Sequence, residues 1–471
     1  MVDIGCRFFL RAYMVDCQYM KSVSVTPASK KRYLIIGAGP CGLGAGWRLR
    51  ELGVDNFVIY EKQSFVGGLA ASYTDPKGFT WDVGGHVLHS HYPYFTKMFE
   101  TVMKNEYYTH ERESWVWMYN RFVPYPFQNN IHRLPKVYMD ECLKGLHEVR
   151  KHSFVTPDNF QEWLVRVFGK GIARHFLLPY NRKVWAYPLH KMSYQWVSDR
   201  VSSIDISRIE RNIRTMTDDI SWGPNAVFFY PKHGGTGRIW KQVAKPFHSH
   251  IKMNKEVKRI DAVKKHVYFT DGSIDIYDAL LTSMPLDALT RTVSGVQLPQ
   301  SVSKLHHSGV AIVGIGIAGR VPSNLKTKCW MYFPESHVPF FRATVLSNYS
   351  KYNAPKGCWS VMVEISFSAS YPLPDGGDSA SLELRVIRSL MEIGFMPRNA
   401  RIVDQWSMTS AYGYPTPTIH RDTYVDGVLK KLETYGISSR GRFGMWKYEI
   451  SNQDHTFMQG VDWADGVTRG I

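Results

Sequence analysis

The stretch Gly37-Ala-Gly-Pro-Cys-Gly42, with Glu61 downstream and Gly67-Gly68 just beyond, constrains this chain more than any other part of it. Lys31 to Ile36 reads as a short buried strand, and Cys41 to Leu52 as a helix carrying Leu43, Trp47 and Leu49. Phe57 to Tyr60 reads as a second strand that delivers Glu61. In such a unit Gly37 permits a tight turn, Gly39 lets backbone approach a pyrophosphate, and Gly42 lets helix and strand pack closely. The anion rests on N–H groups at the helix N-terminus. An acid about 20 residues after the motif binds a ribose hydroxyl. A glycine-rich turn alone matches by chance, but here strand, turn, helix, strand and acid arrive in order and predict a dinucleotide site.

Composition narrows the ligand. The 471 residues suffice for several domains, and 44% hydrophobic with 14% aromatic residues describes a soluble globular protein. No apolar run reaches the roughly 18 residues of a membrane span. The six cysteines are scattered without a CxxC pair, which predicts free thiols and a cytoplasmic location. A net charge of +17 points to anionic partners. No basic tail or nucleic-acid motif is present, so a polyanionic small molecule is expected rather than nucleic acid. Residues 1–30 read as a disordered extension; Arg7 and Arg11 with few acids leave a mitochondrial-type presequence as the alternative.

The dinucleotide unit does not close within its first hundred residues. Val257 to Asp261, Val267 to Ile274 and Ala279 to Ser283 read as returning strands, with Asp271-Gly272 as a hairpin turn. A long insertion before such a return is typical of flavin-binding folds. His233 to Trp240 is a second glycine-rich turn entering a helix, expected to pack near the first. Between the halves, Lys136 to Val149, Asn159 to Phe168 and Ile172 to Leu178 carry helical periodicity. From Val310 to Phe367 the pattern is that of an antiparallel sheet.

Two segments have chemistry unusual for loops. Val123 to Asn130 alternates aromatics and prolines and ends in amides, so Tyr125, Phe127 and Gln128 suit a planar base; an edge strand with core aromatics explains the spacing slightly better. Arg440 to His455 concentrates charged, amide and phenolic groups before an amphipathic helix that Asn452 and Asp454 could cap. His86, His89 and His91 are close enough to raise metal binding, but HExxH spacing is missing and Gly84-Gly85 suggests backbone approaching a ligand, so no metal is expected. Without a serine elbow or Walker lysine, a cofactor is expected to carry the difficult chemistry.

From about Tyr33 onward the chain resembles the UDP-galactopyranose mutases of eukaryotic type. The resemblance rests on the glycine loop, Phe79 to His86, Val123 to Asn130, Asn181 to Pro188 and Trp222 to Asn225. It continues through His233 to Trp240, Cys329 to Tyr332, Phe341 to Thr344, Gly413 to Pro417 and Arg440 to His455. It implies FAD and the interconversion of UDP-galactopyranose and UDP-galactofuranose without net redox change. In that family N5 of reduced flavin attacks the anomeric carbon, UDP leaves, and the sugar reopens through a flavin iminium before reclosing. By the same resemblance Arg200 and Arg342 hold the diphosphate, Tyr332, Tyr414 and Tyr448 line the same region, and His86 lies in the loop over the flavin. Tyr125, Phe127, Gln128, Asn181 and Trp185 hold uridine, Asn225 belongs to a mobile flap, and Asn452 lies beside the tyrosines. Gly37, Gly39, Gly42, Glu61, Gly67, Gly68, Leu69, Val257, Arg442, Asn452, Gln453 and Asp454 are assigned to FAD, and Arg112 and Ser114 to NADPH, the reductant.

The fold class expected is α/β: a discontinuous FAD-binding Rossmann-like domain (31–110, 226–300, 440–471) with an inserted helical substrate domain (129–225) and an antiparallel-sheet domain (111–128, 301–439). Phe65-Val66 before the paired glycines and the short segment between Tyr352 and Trp359 depart from relatives. The alternative is a flavin oxidase of the amine oxidase or protoporphyrinogen oxidase type, which commonly has arginine after the paired glycines; here Leu69 stands there. The oligomeric state stays open, homo-oligomerisation included.

Overall fold

The computed structural model describes residues 31–151, 155–197, 204–220, 226–299 and 304–469. The expected extension at 1–30 lies outside them.

Tyr33–Ile36 is the centre of a five-stranded parallel sheet whose order is Ile437–Ser439, Ala279–Thr282, Tyr33–Ile36, Phe57–Tyr60, Ile251–Lys252. Its four residues are all buried, as a strand covered on both faces must be. One edge strand, Ile437–Ser439, begins just before the expected boundary at 440. Of the expected returning strands, only Ala279–Thr282 joins this sheet. Val257–Asp261 and His266–Phe269 pair antiparallel in a separate four-stranded sheet, with Gly272 at φ +85° in their neighbouring hairpin. The helix Pro40–Glu51 packs between the parallel sheet and the C-terminal helix Gln453–Arg469: Leu43, Ala45 and Leu49 share one core with Phe457 and Val461. Ile239 and Trp240, from the second glycine-rich turn and its helix Gly237–Ala244, join that core as expected.

The helical insertion is built from Lys136–Lys151, Phe160–Ile172, Leu178–Trp185 and Ile206–Thr215. Asn159 starts the second of these, its side-chain oxygen accepting from Glu162 N at 3.0 Å while its amide donates to the Glu162 carboxylate at 3.0 Å. A turn of π-helix, Ala173–Leu177, precedes Leu178–Trp185, a distortion that recurs at functional sites.

The third layer is a seven-stranded sheet ordered Ile402–Pro415, His307–Ala318, Cys358–Phe367, Arg342–Thr344, Trp330–Tyr332, Ser114–Met118, Arg121–Pro124. It is antiparallel except where Trp330–Tyr332 runs parallel to Ser114–Met118. Among the described residues no helix is long and apolar enough to cross a membrane.

Candidate functional site

The site begins at the glycine loop. Gly37 has φ +101°, a conformation that penalises any side chain, and its N–H donates to Tyr60 O at 2.8 Å. A Cβ on Gly42 would stand 1.9 Å from Gly37 O, so the helix can enter this close to the strand only without one. No side chain caps Pro40–Glu51, and its first turn carries no acid, which leaves the helix N-terminus suited to an anion. Glu61 is buried, one carboxylate oxygen accepting from Ala38 N at 2.8 Å and the other from Gln63 N at 2.9 Å. Gly67 N donates to Ala38 O at 2.9 Å and binds the Gly67-Gly68 turn to the same loop, with Gly68 against Gly39. Leu69 is partly buried between two cores, and Val257 begins the strand reached from Glu61 through Lys255 N. These residues make a cradle whose uncapped helix N-terminus and side-chain-free backbone fit a dinucleotide.

A second segment, 84–91, is fastened to that cradle from three sides. Gly85 N donates to Glu364 Oε1 at 3.0 Å, and Thr236 Oγ1 donates to His86 O at 2.8 Å. Gln453 accepts from Trp240 Nε1 at 2.7 Å and donates to Val87 O at 3.1 Å. The expectation that Asp454 caps the C-terminal helix needs correction. Asp454 lies within its first turn, and its oxygens accept from the backbone N–H and Nδ1 of both His91 and His455. Asn452 O accepts the first helical bond, from Thr456 N at 2.9 Å. The three histidines are thereby parted: His91 turns to Asp454, His89 Nδ1 meets Val227 O at 3.0 Å, and His86 faces the arginines. Burial, then Arg442 and Arg342, push His86 down to about 3. Burial, then Arg112, push His89 down to about 4.

These segments border a cavity of about 150 Å³ lined by His86, His89, Arg112, Trp330, Tyr332, Arg342, Arg442 and the start of the C-terminal helix. Arg342 is held by a two-pronged pair with Glu364, Nε to Oε1 at 2.6 Å and Nη2 to Oε2 at 2.7 Å. Desolvation is the largest single influence and opposes its charge, but the charge and hydrogen bonds of Glu364 together with Tyr414 and Tyr180 outweigh it and raise the guanidinium. Arg112 lies over the Trp330 ring at 4.7 Å and donates to Ser114 Oγ at 3.3 Å and Tyr332 OH at 3.4 Å. Ser114 itself is buried. Arg442 reaches Gly413 O and Ser451 O, with its guanidinium over Tyr414 at 5.9 Å. A cationic wall with few carboxylates can stabilise a leaving diphosphate.

An aromatic wall adjoins it. Tyr332 meets Tyr125 at 5.5 Å and Tyr180 at 5.3 Å between ring centroids, and Trp185 meets Tyr448 at 5.1 Å and Tyr414 at 6.0 Å. Burial raises the Tyr414 hydroxyl to about 12 despite Arg342, so it is a hydrogen-bond donor at neutral pH. Trp185 Nε1 is buried without a hydrogen-bond partner. Asn181 donates its side-chain amide to Leu177 O at 2.8 Å. In Val123 to Asn130 the edge strand with core aromatics is present: Arg121–Pro124 is an edge strand and Phe127 is fully buried against Phe176, while Tyr125 joins the aromatic wall. Gln128 is buried beside them.

Arg200 and Asn225 lie outside the described residues. Sequence reasoning missed Glu364 and Tyr180. The signal for Glu364 was present, a lone acid in the apolar run Cys358–Phe367 that the sheet buries almost completely.

A family profile of NAD(P)-binding Rossmann-like domains matches residues 35–102. A Baeyer-Villiger monooxygenase of Pseudomonas aeruginosa is 40% identical over 83 residues, 17% of this chain; the chain spans only 16% of that curated relative. A crystal structure of reduced UDP-galactopyranose mutase superposes with a TM-score of 0.91 and 42% identity, covering 94% of this chain and 95% of that one. A putative protoporphyrinogen oxidase from Exiguobacterium sp. 255-15 superposes at 0.69 with 14% identity, over 94% of this chain and 100% of its own. A cyclohexylamine oxidase from Brevibacterium oxydans IH-35A gives 0.65 and 15%, over 93% and 99%. The last two share the fold.

Proposed function

The chain belongs to the UDP-galactopyranose mutase family, a flavin-dependent enzyme of that kind, and from that premise we propose that it interconverts UDP-galactopyranose and UDP-galactofuranose. The observation that carries this reading is Arg342, anchored by Glu364 at the wall of a cationic cavity that Arg112, Arg442 and the start of the C-terminal helix also line. Bound and reduced, FAD would supply the nucleophile for the anomeric carbon. Gly37, Gly39, Gly42 and Gly67-Gly68 leave backbone room for its pyrophosphate, and Glu61 takes a ribose hydroxyl. Arg342, with Arg200, neutralises the charge that develops on the leaving diphosphate, its guanidinium held in place beforehand by Glu364. Tyr332, Tyr414 and Tyr448 donate to the same oxygens.

Asn181, Trp185 and Gln128 orient the uracil, with Tyr125 as a flat wall and Phe127 supporting it from the core. His86, neutral at physiological pH, accepts or donates one hydrogen bond beside the flavin without adding charge. Arg112, above Ser114, receives the 2′-phosphate of NADPH, the reductant. The free cysteines Cys41, Cys142, Cys329 and Cys358 support a reducing, cytoplasmic setting.

The deciding experiment uses purified flavoprotein reduced by NADPH without oxygen and given UDP-galactofuranose. Formation of UDP-galactopyranose, followed by chromatography, is the expected result. No conversion by fully reduced protein, with hydrogen peroxide formed from an amine in air, would establish the oxidase reading instead.

A further inference from the structure

The helix Leu178–Trp185 presents different chemistry on its two sides. Asn181 and Trp185, four residues apart, share one face. Tyr180 and Lys183, three apart, share another, and that face meets the hairpin joining Trp330–Tyr332 to Arg342–Thr344. Lys183 Nζ donates to Phe333 O at 2.7 Å, Val338 O at 2.7 Å and Glu335 O at 3.2 Å. An ammonium has three donors, and all three are spent on one loop. That loop begins at the residue after Tyr332 and leads back to Arg342. It is also held by Tyr119 N, which donates to Glu335 Oε1 at 3.2 Å.

A charge is kept in such surroundings only where polar partners surround it. Burial lowers the Lys183 ammonium to about 7, with Glu335 opposing. The three carbonyls favour the protonated form further. A methionine would fill the space more cheaply, so the ammonium serves the hairpin rather than the packing.

We propose that Lys183 is a positioning residue that fixes the helix carrying Asn181 and Trp185 in register with the hairpin carrying Tyr332 and Arg342. The proposal rests on the UDP-sugar reading above. It makes the uridine end and the diphosphate end of the site one rigid receptor, so that a bound uracil presents its diphosphate to Arg342 without further ordering.

Flavin-loaded wild type, Lys183→Met and Lys183→Arg would be titrated with uridine by ligand-observed NMR and with UDP by calorimetry. In Lys183→Met, UDP binding is expected to weaken at least tenfold and uridine binding to change less than about threefold, because only the longer ligand spans both elements. KM for UDP-galactofuranose should rise in parallel, while flavin content and reduction by NADPH stay at wild-type levels. Lys183→Arg should recover part of the UDP affinity. Equal weakening of both ligands, or of neither, overturns the positioning role. Wild type that binds neither ligand overturns the UDP-sugar reading itself. If the methionine variant loses flavin, Lys183→Gln, which retains amide donors, carries the same comparison.

Discussion

At the scale of single residues, the site is a contest between burial and charge. Arg342 keeps its charge in a low-dielectric wall because Glu364 meets it with two short bonds. Replacing Arg342 by alanine is expected to lower turnover by about 10²–10³-fold, measured on reduced protein. Unchanged turnover would remove it from the diphosphate role. Glu364→Ala tests the other partner. It strands a guanidinium, a change that costs about 3–5 kcal/mol in a fully buried pair. Because Arg342 borders the cavity and can take water, about 3 kcal/mol is expected, read from urea unfolding of the holoprotein. A loss below about 0.5 kcal/mol, the scale of an exposed pair, would show that the pair is dispensable. Glu364 was legible as an oddity in an apolar strand, but its partner was not, because Arg342 lies on a neighbouring strand and only their register brings them together.

At the scale of elements, helix ends and helix faces set the geometry. Asn159 caps the helix Phe160–Ile172, its side-chain oxygen accepting from Glu162 N and its side-chain amide donating to the Glu162 carboxylate. Asn159→Ala is expected to cost about 1 kcal/mol, seen as a lower urea midpoint with flavin content unchanged; no shift would mean that packing alone holds this helix start. The C-terminal helix was equally visible, yet the role of Asp454 was not. Sequence reasoning treated it as a cap, whereas folding brings His91 from a distant segment and turns the carboxylate into a clamp between two imidazoles. The same limit applies to the face of Leu178–Trp185 that carries Lys183. Its acceptors are backbone carbonyls, which have no sequence signature.

At the scale of the whole molecule, the cavity joins the 84–91 segment and the start of the C-terminal helix to the seven-stranded sheet, and its histidines link it to acid stability. His86 at about 3 and His89 at about 4 lie below the unfolded histidine value of about 6.5. Between about pH 6.5 and 4, therefore, the unfolded chain binds protons that the folded chain refuses. Their contribution is whole above that range and is lost as pH falls through it. After discounting for cavity water, the pair should reduce stability by about 2 kcal/mol between pH 7 and 5. His86→Gln combined with His89→Gln should flatten this part of the urea-unfolding profile; an unchanged slope would place the acid sensitivity elsewhere. The sequence alone determined what local rules govern: the glycine turn and its flanking strands, the helical periodicity of the insertion, the β-rich run of the large sheet, and through dispersed motifs the family. The tertiary structure decided what depends on segments far apart in the chain. It recruited Ile437–Ser439 to the parallel sheet, set Glu364 beneath Arg342, and sent three neighbouring histidines to different partners. Local pattern reports the free energy of an element within itself, whereas a buried charge is placed by whichever partner the fold brings within hydrogen-bonding reach.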